Sequence, residues 1–288
     1  MTRKGRPSVA FVLGGGGVLG AHQTGMLSAL LLSGIRPDLV VGVSSGALHG
    51  AVLAADPTLN SLITMRRFWH DFHERAILHR CRLERVVSTL APSGRRRTSQ
   101  RFRRLVEEHL AAERFEELAI PFHCMATDIG AACERWFARG PLLPAVLAST
   151  AVPALMETVS LDGVQLADGG LVNSLPVDRA VTLGARTLYV MQTTPGPGST
   201  EIPDHVWEWP SMALNITQRY RVRASLEAVP EDVTVHVLPT GISRPEQFSV
   251  QRQIQTAGPA EGIKDAEIRI ERSYLATQRY LWRHGLGS

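Results

Sequence analysis

Long apolar runs are absent from this chain of 288 residues. No stretch reaches the roughly 20 consecutive apolar residues that a bilayer-spanning helix needs, so any membrane contact is expected to be peripheral. Arg3 and Lys4 precede a short apolar run at residues 9–13, an arrangement that resembles the start of a secretory signal. The run is short and glycines follow it directly, which favours a first β-strand. We therefore expect a cytoplasmic protein that can dock at the inner face of the membrane.

Cysteine is scarce as well. The chain has three, Cys81, Cys124 and Cys133, which is an odd number without the spacing of a metal site. They are expected to be reduced thiols, as is usual in the cytosol. Neither a metal nor a cofactor is predicted.

Two nucleotide-binding signatures are missing from the glycine-rich loop at residues 14–20. No Gly-Lys-Ser/Thr follows the loop, which excludes a Walker-type phosphate loop. The spacing of Gly15, Gly17 and Gly20 matches a dinucleotide fingerprint, but that fingerprint needs an acidic residue at the end of the second strand. Asp38 lies before the second apolar run, at the wrong end. A nucleotide-binding oxidoreductase is therefore a distant alternative.

The charge balance is mildly basic, with a net charge of +4 and an isoelectric point near 9.3. Six arginines lie within residues 95–104. They would attract anionic lipid head groups, or they form an ordinary solvated helix face. Aromatic residues do not alternate with them, so nucleic-acid binding is not expected. Trp207 and Trp209 would form a membrane-facing lip or pack in the interior.

Apolar runs alternate with helical patterns along the first half of the chain. Residues 9–13 and 39–43 read as buried strands, and residues 21–32 carry an apolar helical face. This alternation predicts an α/β fold with a mostly parallel central sheet and helices on both faces. Residues 8–192 form the predicted core. Residues 193–288 are expected to complete the same domain with a strand at 233–238 and an amphipathic helix at 260–283.

The most informative stretch is Gly42-Val43-Ser44-Ser45-Gly46, between an apolar run and a helical pattern. A Gly-x-Ser-x-Gly turn from strand to helix exposes the serine Oγ in a cleft. The following helix directs its positive dipole end to the same place. Ser44 is the candidate nucleophile, with Gly42 and Gly46 as the motif glycines.

The glycine loop suits a serine hydrolase better than it suits nucleotide binding. Consecutive glycines present backbone N–H groups that converge on one small anion, and a serine hydrolase needs such donors for its tetrahedral intermediate. If the first two strands are adjacent and parallel, the amides of Gly15, Gly16 and Gly17 face Ser44. We predict that these three form an oxyanion hole, with Gly20 closing the loop motif.

A serine nucleophile also needs a base. The chain has ten histidines, but His22, His49 and His123 lie outside any convincing motif, so each is interpreted as a surface or core residue. Asp168 ends a short apolar strand and precedes Gly169 and Gly170. Active-site carboxylates are found at such strand ends in parallel α/β folds, although Asp-Gly-Gly is also common in plain turns.

Together these motifs resemble the patatin-like phospholipase family. The similar segments are residues 13–22 (LGGGGVLGAH), 42–47 (GVSSGA), 126–128 (ATD), 148–153 (ASTAVP) and 166–178 (LADGGLVNSLPVD). They occur in the family's order over about residues 8–192. The resemblance implies a three-layer α/β/α fold and a Ser–Asp dyad without a catalytic histidine. By position, Ser44 is the nucleophile and Asp168 the general base.

The resemblance further implies acyl transfer from a lipid or fatty-acyl ester, as in a phospholipase A-type enzyme or carboxylesterase. An acyltransferase or transacylase on the same dyad and a non-catalytic lipid-binding regulator remain alternatives. Family members usually carry Arg or Lys where this chain has Leu19, which favours a neutral or modified ester. Leu155-Met156-Glu157 stands where the family often has a Phe-Pro-Pro-like run, and this segment is expected to line an acyl channel.

Overall fold

The computed structural model of the protein describes residues 8–78, 92–193, 206, 209–242 and 258–287. Within these residues, eight strands form one sheet. They are β1 (Val9–Leu13), β2 (Leu39–Val43), β3 (Phe122–Asp128), β4 (Cys133–Phe137), β5 (Val159–Leu161), β6 (Val164–Asp168), β7 (Thr187–Met191) and β8 (Thr234–Val237).

The strand order is β5-β6-β3-β2-β1-β7-β8, with β4 pairing separately with β3. The pairs from β3 through β2, β1 and β7 to β8 are parallel. The pairs of β3 with β4, β3 with β6 and β5 with β6 are antiparallel. The sheet is thus mostly parallel with an antiparallel margin, as the alternating sequence pattern predicted.

Eight α-helices surround the sheet in the described part of the chain. They are α1 (Ala21–Leu32), α2 (Ser45–Ala55), α3 (Asn60–Glu74), α4 (Pro92–His109), α5 (Leu142–Ser149), α6 (Val177–Thr182), α7 (Trp209–Glu227) and α8 (Pro259–Arg283). Short 3-10 turns occupy Gly17–Gly20, Phe115–Glu117 and Gly169–Leu171. No helix among the described residues combines the length and apolarity needed to cross a membrane.

Alternate side chains of β1 enter two different cores, which places helices on both faces. Phe11 and Leu13 pack in the cluster that contains the apolar residues of α1, α2 and α8. Ala10 and Val12 pack in the cluster that contains α6 and Val222 of α7. A strand buried on both sides explains the continuous apolar runs of β1 and β2.

The pairing of β3 brings two strand ends together. Residues 122–125 pair with β2 and residues 126–128 pair with β6, while β4 occupies the opposite edge over residues 124–128. Because a strand has only two edges, β2 and β6 lie in succession along the same edge of β3. The carboxyl end of β2 and the carboxyl end of β6 therefore meet next to Met125 and Ala126.

The chain beyond residue 193 contributes to the same sheet and core. Strand β8 pairs with β7, and Ser273 of α8 donates a hydrogen bond of 2.8 Å to the carbonyl of His22 in α1. Asp162 and Gly163, with φ of 51° and 79°, form the turn between β5 and β6. An Asp-Gly dipeptide between two short apolar runs is typical of such a hairpin.

Candidate active site

Ser44 occupies a strained turn between β2 and α2. Its φ and ψ are 56° and −125°, a conformation that non-glycine residues adopt only when their surroundings enforce it. Gly42 and Gly46 allow the turn because a Cβ on either would collide with backbone, at Gly46 and Leu13 respectively. The Ser44 N–H donates 2.9 Å to Ser149 Oγ. These constraints hold the Ser44 hydroxyl in one position.

Asp168 is the partner of that hydroxyl. Ser44 Oγ donates a 2.6 Å hydrogen bond to Asp168 Oδ2, and the Gly170 N–H donates 2.8 Å to Asp168 Oδ1. The Asp168 backbone is also fixed, by bonds of its N–H to Ala151 and of its carbonyl to Thr127. Each of the two side-chain oxygens thus has a defined donor.

Both residues are nearly inaccessible to solvent, at 6% exposure each. Burial raises the pKa of Asp168 to about 6, although the hydrogen bonds from Ser44 and Gly170 oppose that shift. Desolvation disfavours the charged carboxylate. The result is a carboxylate basic enough to accept a proton near neutral pH.

The glycine loop packs directly against Ser44. A Cβ built on Gly15 would lie 3.2 Å from Ser44 Cβ. The loop is fixed by bonds to its first two glycines: Gly14 N–H donates to Met191, and Thr193 Oγ1 donates 2.8 Å to the Gly15 carbonyl. The loop is therefore a rigid wall of the site.

One predicted oxyanion donor requires correction. The Gly15 N–H donates 2.9 Å to the Ser174 carbonyl, so it is already committed to holding the loop. Within the described residues, the N–H groups of Gly16 and Gly17 make no backbone hydrogen bond as donors. Gly17 has a φ of 57°, which suits glycine. Gly16 and Gly17 are thus the two predicted oxyanion donors whose N–H groups have no backbone acceptor among the described residues.

The sequence model of the patatin-like phospholipase family matches residues 11–181. That span is more than half of the chain and includes the glycine loop, Ser44 and Asp168. The chain belongs to the patatin-like phospholipase family.

Two named proteins are similar in sequence to more than half of the patatin-like chain. Neuropathy target esterase sws of Drosophila melanogaster is 34% identical over 180 residues, which cover 62% of this chain and 12% of the relative. The protein of the same name from Drosophila sechellia is 34% identical over 171 residues, covering 59% of this chain and 11% of the relative. The chain therefore spans no more than about an eighth of the length of these relatives.

A solved structure resembles the patatin-like chain over most of its length. The crystal structure of VipD from Legionella pneumophila has a TM-score of 0.44 and 13% sequence identity to it. The alignment covers 97% of this chain and 67% of that one.

The role of histidine in this patatin-like site differs from its role in a serine triad. His49 is buried, and its ring nitrogens lie 2.8 Å from Gln23 Oε1 and 3.1 Å from Trp69 Nε1. Because the Trp69 N–H donates to Nε2, the proton of His49 resides on Nδ1 and is donated to Gln23. Burial lowers the pKa of His49 to about 3. His49 is therefore neutral, with both nitrogens committed.

This network supports the glycine loop, and the sequence interpretation missed it. Gln23 Nε2 donates 2.7 Å to the Gly14 carbonyl, which completes a buried chain from Trp69 through His49 and Gln23 to the loop. A signal was present, since His49 and Gln23 are polar residues within otherwise apolar helical stretches. Their pairing required the packing of α1 against α2.

The other two candidate histidines lie in separate surroundings. His22 is fully buried in α1, and burial lowers its pKa to about 4. His123 lies in β3 with its Nδ1 3.3 Å from Arg179 Nη2, and burial lowers its pKa to about 4. The hydrogen-bond partner of Ser44 Oγ is a carboxylate.

Two cavities meet at Ser44. The α7 cavity, of about 120 Å³, is bordered by Ser44, Asp168, Gly16 and, from α7, Leu214 and Gln218. The aromatic cavity, of about 50 Å³, extends from Ser44 to aromatic side chains of α3 and α4: Phe68, Trp69, Phe72 and Phe102. Val152 borders both cavities.

The structure also shows where the residues that depart from the family pattern lie. Leu19 is only 5% exposed, and its backbone N–H donates 3.1 Å to the Gly16 carbonyl. Of the segment expected to line an acyl channel, Leu155 and Met156 line the aromatic cavity, whereas Glu157 is exposed and lies outside it.

A group of possible metal ligands lies elsewhere. His70, Asp71 and Glu74 are close together on α3, but the Arg75 guanidinium lies 3.4 Å from Asp71 Oδ2. That positive charge already balances the carboxylate and disfavours a cation there. The site at Ser44 contains no comparable group among the described residues.

Proposed function

We propose that this patatin-like protein is a lipid acyl hydrolase that cleaves carboxylic esters with Ser44 as nucleophile and Asp168 as general base. The observation that carries the proposal is the 2.6 Å hydrogen bond between two buried side chains, Ser44 Oγ and Asp168 Oδ2, beside a fixed loop of glycine amides. The names of the Drosophila relatives, neuropathy target esterase, agree with ester hydrolysis.

In the first step, Asp168 Oδ2 accepts the proton of Ser44 Oγ while that oxygen attacks the ester carbonyl. The tetrahedral intermediate places its negative oxygen against the N–H groups of Gly16 and Gly17. Loss of one such donor commonly costs about 10²–10³ in rate. Collapse of the intermediate breaks the ester bond, and the alcohol leaves with the proton held by Asp168.

In the second step, water attacks the acyl-serine. Asp168 removes a proton from that water and returns it to Ser44 Oγ as the acid product departs. A carboxylate is a weak base for an alcohol, and burial compensates by raising the pKa of Asp168 to about 6. The short contact and the preorganised amides supply the rest.

The two cavities suggest how an ester lies at Ser44. The aromatic cavity, lined by phenylalanines and by Leu155 and Met156, suits the acyl chain. The α7 cavity, which has Gln218 and Ser174 at its wall, suits the alcohol portion. Leu19 supplies no cation for a phosphate head group, so the site requires only a carboxylic ester in its substrate.

Peripheral contact with an anionic membrane is part of the proposal. Helix α4 exposes Arg96, Arg97, Arg103 and Arg104, while its buried Phe102 borders the aromatic cavity. Clustered arginines near an anionic surface contribute about 1 kcal/mol each. The same helix would thus attract anionic lipid with its arginines and line the aromatic cavity with Phe102.

The decisive experiment compares four purified variants in hydrolysis of a water-soluble ester and of a phospholipid. Ser44→Ala and Asp168→Asn are expected to lose at least about 10³-fold in kcat/KM, with thermal unfolding that still shows a folded protein. Ser28→Ala and Asp128→Asn, a helix serine and a strand-end aspartate outside the site, are the matched controls. Full activity in Ser44→Ala would refute the proposal.

Labelling and acceptor experiments complete the test. A fluorophosphonate should modify Ser44, and modification of another residue instead would overturn the assignment of the nucleophile. Adding an alcohol such as glycerol or a lysophospholipid measures acyl transfer against hydrolysis. We expect free acid as the main product; a predominant transfer product would make the protein a transacylase on the same two residues.

A further inference from the structure

Helix α7 is hydrogen-bonded to the backbone that directly follows the candidate base, at the 3-10 turn Gly169–Leu171 and the residue after it. Gln218 Nε2 donates 2.7 Å to the Gly170 carbonyl, and the Arg221 guanidinium donates to the Val172 carbonyl. Gln218 and Arg221 are three positions apart, so they lie on the same face of the helix. That face of α7 is therefore attached to this segment at two points.

Gly170 connects this attachment to the catalytic carboxylate. Its carbonyl accepts the bond from Gln218, and its N–H donates 2.8 Å to Asp168 Oδ1. The other carboxylate oxygen, Asp168 Oδ2, accepts the 2.6 Å bond from Ser44 Oγ. A Cβ on Gly170 would lie 3.0 Å from Asp168 Oδ1 and 3.7 Å from Gln218 Nε2. The carboxylate, the turn and the helix are thus in direct succession.

The turn depends on contacts from outside it to keep one conformation. It begins with two glycines, whose backbone is less restricted than that of other residues. Toward the sheet, Gly169 packs so closely that a Cβ there would collide with the Met125 carbonyl. Toward α7, the bond from Gln218 fixes the Gly170 carbonyl. Loss of that bond would free one side of the segment that orients the carboxylate.

We propose that Gln218 is a positioning residue, which holds the Gly170 backbone so that Asp168 faces the nucleophile. The inference rests on the proposed function, because it takes Asp168 as the base. It adds a requirement that the family's motifs do not specify, since α7 lies outside the residues 11–181 that match the family model. Arg221 supports the same segment from the same face of the helix.

The test compares Gln218→Met with Thr217→Val in the hydrolysis of water-soluble esters. Methionine keeps the length of the glutamine side chain and removes its N–H donor. Thr217 is exposed on the same helix and donates 3.0 Å to the Ala213 carbonyl of that helix, so Thr217→Val is the matched control. We expect kcat to fall about tenfold in Gln218→Met, with KM and the control within about twofold of the parent. Thermal unfolding checks that both variants are folded.

The pH profile separates positioning of the base from a purely structural role. Burial raises the pKa of Asp168, whereas the hydrogen bonds from Ser44 and Gly170 lower it. A displaced Gly170 N–H would stabilise the carboxylate less, so the acid limb of kcat/KM should move to higher pH by about half a unit or more in Gln218→Met. Weaker packing of α7 alone would lower the rate and leave the limb in place.

Three results would overturn the positioning role of Gln218. The first is a kcat that is unchanged in Gln218→Met, and the second is a lowered kcat with an unmoved acid limb. The third is a loss that differs between esters of one acid with different alcohols. Because Gln218 borders the α7 cavity, that result would make its side chain a contact of the alcohol portion.

Labelling of Ser44 by a fluorophosphonate separates this inference from the proposed function, because labelling needs the base but no turnover of an ester. A parent that is labelled but hydrolyses no ester would refute the proposed function, and labelling slowed about tenfold in Gln218→Met would still support positioning. An active parent and a Gln218→Met variant labelled at the same rate would refute positioning alone. A parent that is neither labelled nor active would refute both.

Discussion

Ser44 Oγ and Asp168 Oδ2 lie 2.6 Å apart although 124 residues separate them in the chain. The contact arises because β2 and β6 follow one another along the same edge of β3. Ser44 follows the end of one strand and Asp168 ends the other. The sheet, more than any local motif, positions the pair.

The first prediction concerns the pH dependence of catalysis. Asp168 must be ionised to accept the serine proton, and burial raises its pKa to about 6. We expect kcat/KM for a soluble ester to reach a plateau above pH 7 and to fall about tenfold per pH unit well below 6. A pH-independent kcat/KM between pH 5 and 8 would contradict Asp168 as the base.

The second prediction concerns stability. Since the pKa of Asp168 is higher in the folded chain than the usual 3.8, the folded state binds more protons between pH 4 and 6. Stability is therefore lost as the pH rises through that window, and the penalty is complete above it. Asp168→Asn removes the buried charge and should raise the free energy of unfolding by about 1–3 kcal/mol at pH 8.

Urea unfolding at pH 8 and pH 4 measures this effect. The advantage of Asp168→Asn should shrink at pH 4, where the native carboxyl is mostly neutral. Asp128→Asn serves as the control and should show no gain at pH 8. A variant that is less stable than the parent at pH 8 would contradict the desolvation argument.

The third prediction concerns the glycine loop. A Cβ at Gly16 would crowd the Thr193 side chain, with Thr193 Cβ only 2.9 Å away. Gly16→Ala should displace its N–H and lower kcat by about 10²-fold or more. Gly130→Ala is the control, because its nearest neighbour would be Asp128 Oδ1 at 3.6 Å. Adding Thr193→Ala to Gly16→Ala should restore part of the activity; no effect of Gly16→Ala would refute the assignment.

The fourth prediction concerns the buried support of the loop. Gln23→Leu removes the donor to Gly14 and leaves His49 Nδ1 without its acceptor. An unpaired buried polar group costs about 1–3 kcal/mol, so the unfolding free energy should fall by that amount. We also expect kcat to fall about tenfold with little change in KM. Altered KM with normal kcat would mean that Gln23 does not position the loop for catalysis.

Much of the fold was predictable because it is encoded locally. The helix at Ala21–Leu32 has the bounds expected from its apolar pattern. The strand ends at Ser44 and Asp168 were marked by glycines. The assignment of Gly15 was wrong because hydrogen bonding to Ser174 depends on a segment almost 160 residues away.

The position of the tryptophans likewise depends on the tertiary structure. Trp209 is about half exposed, so it lies at the surface and is not packed in the interior. Trp207 and Cys81 lie outside the described residues. Whether a single residue is buried depends on neighbours in the fold that the local sequence pattern does not identify.

The sequence by itself determined the strand-turn-helix geometry of Ser44, the glycine loop and the order of the family's motifs, because neighbouring residues dictate backbone conformation and periodicity. Only the tertiary structure decided that Asp168 meets Ser44, that the Gly15 N–H is bonded to Ser174, and that His49 supports the loop through Gln23. These contacts join distant segments, and long-range strand pairing and packing of the whole core create them.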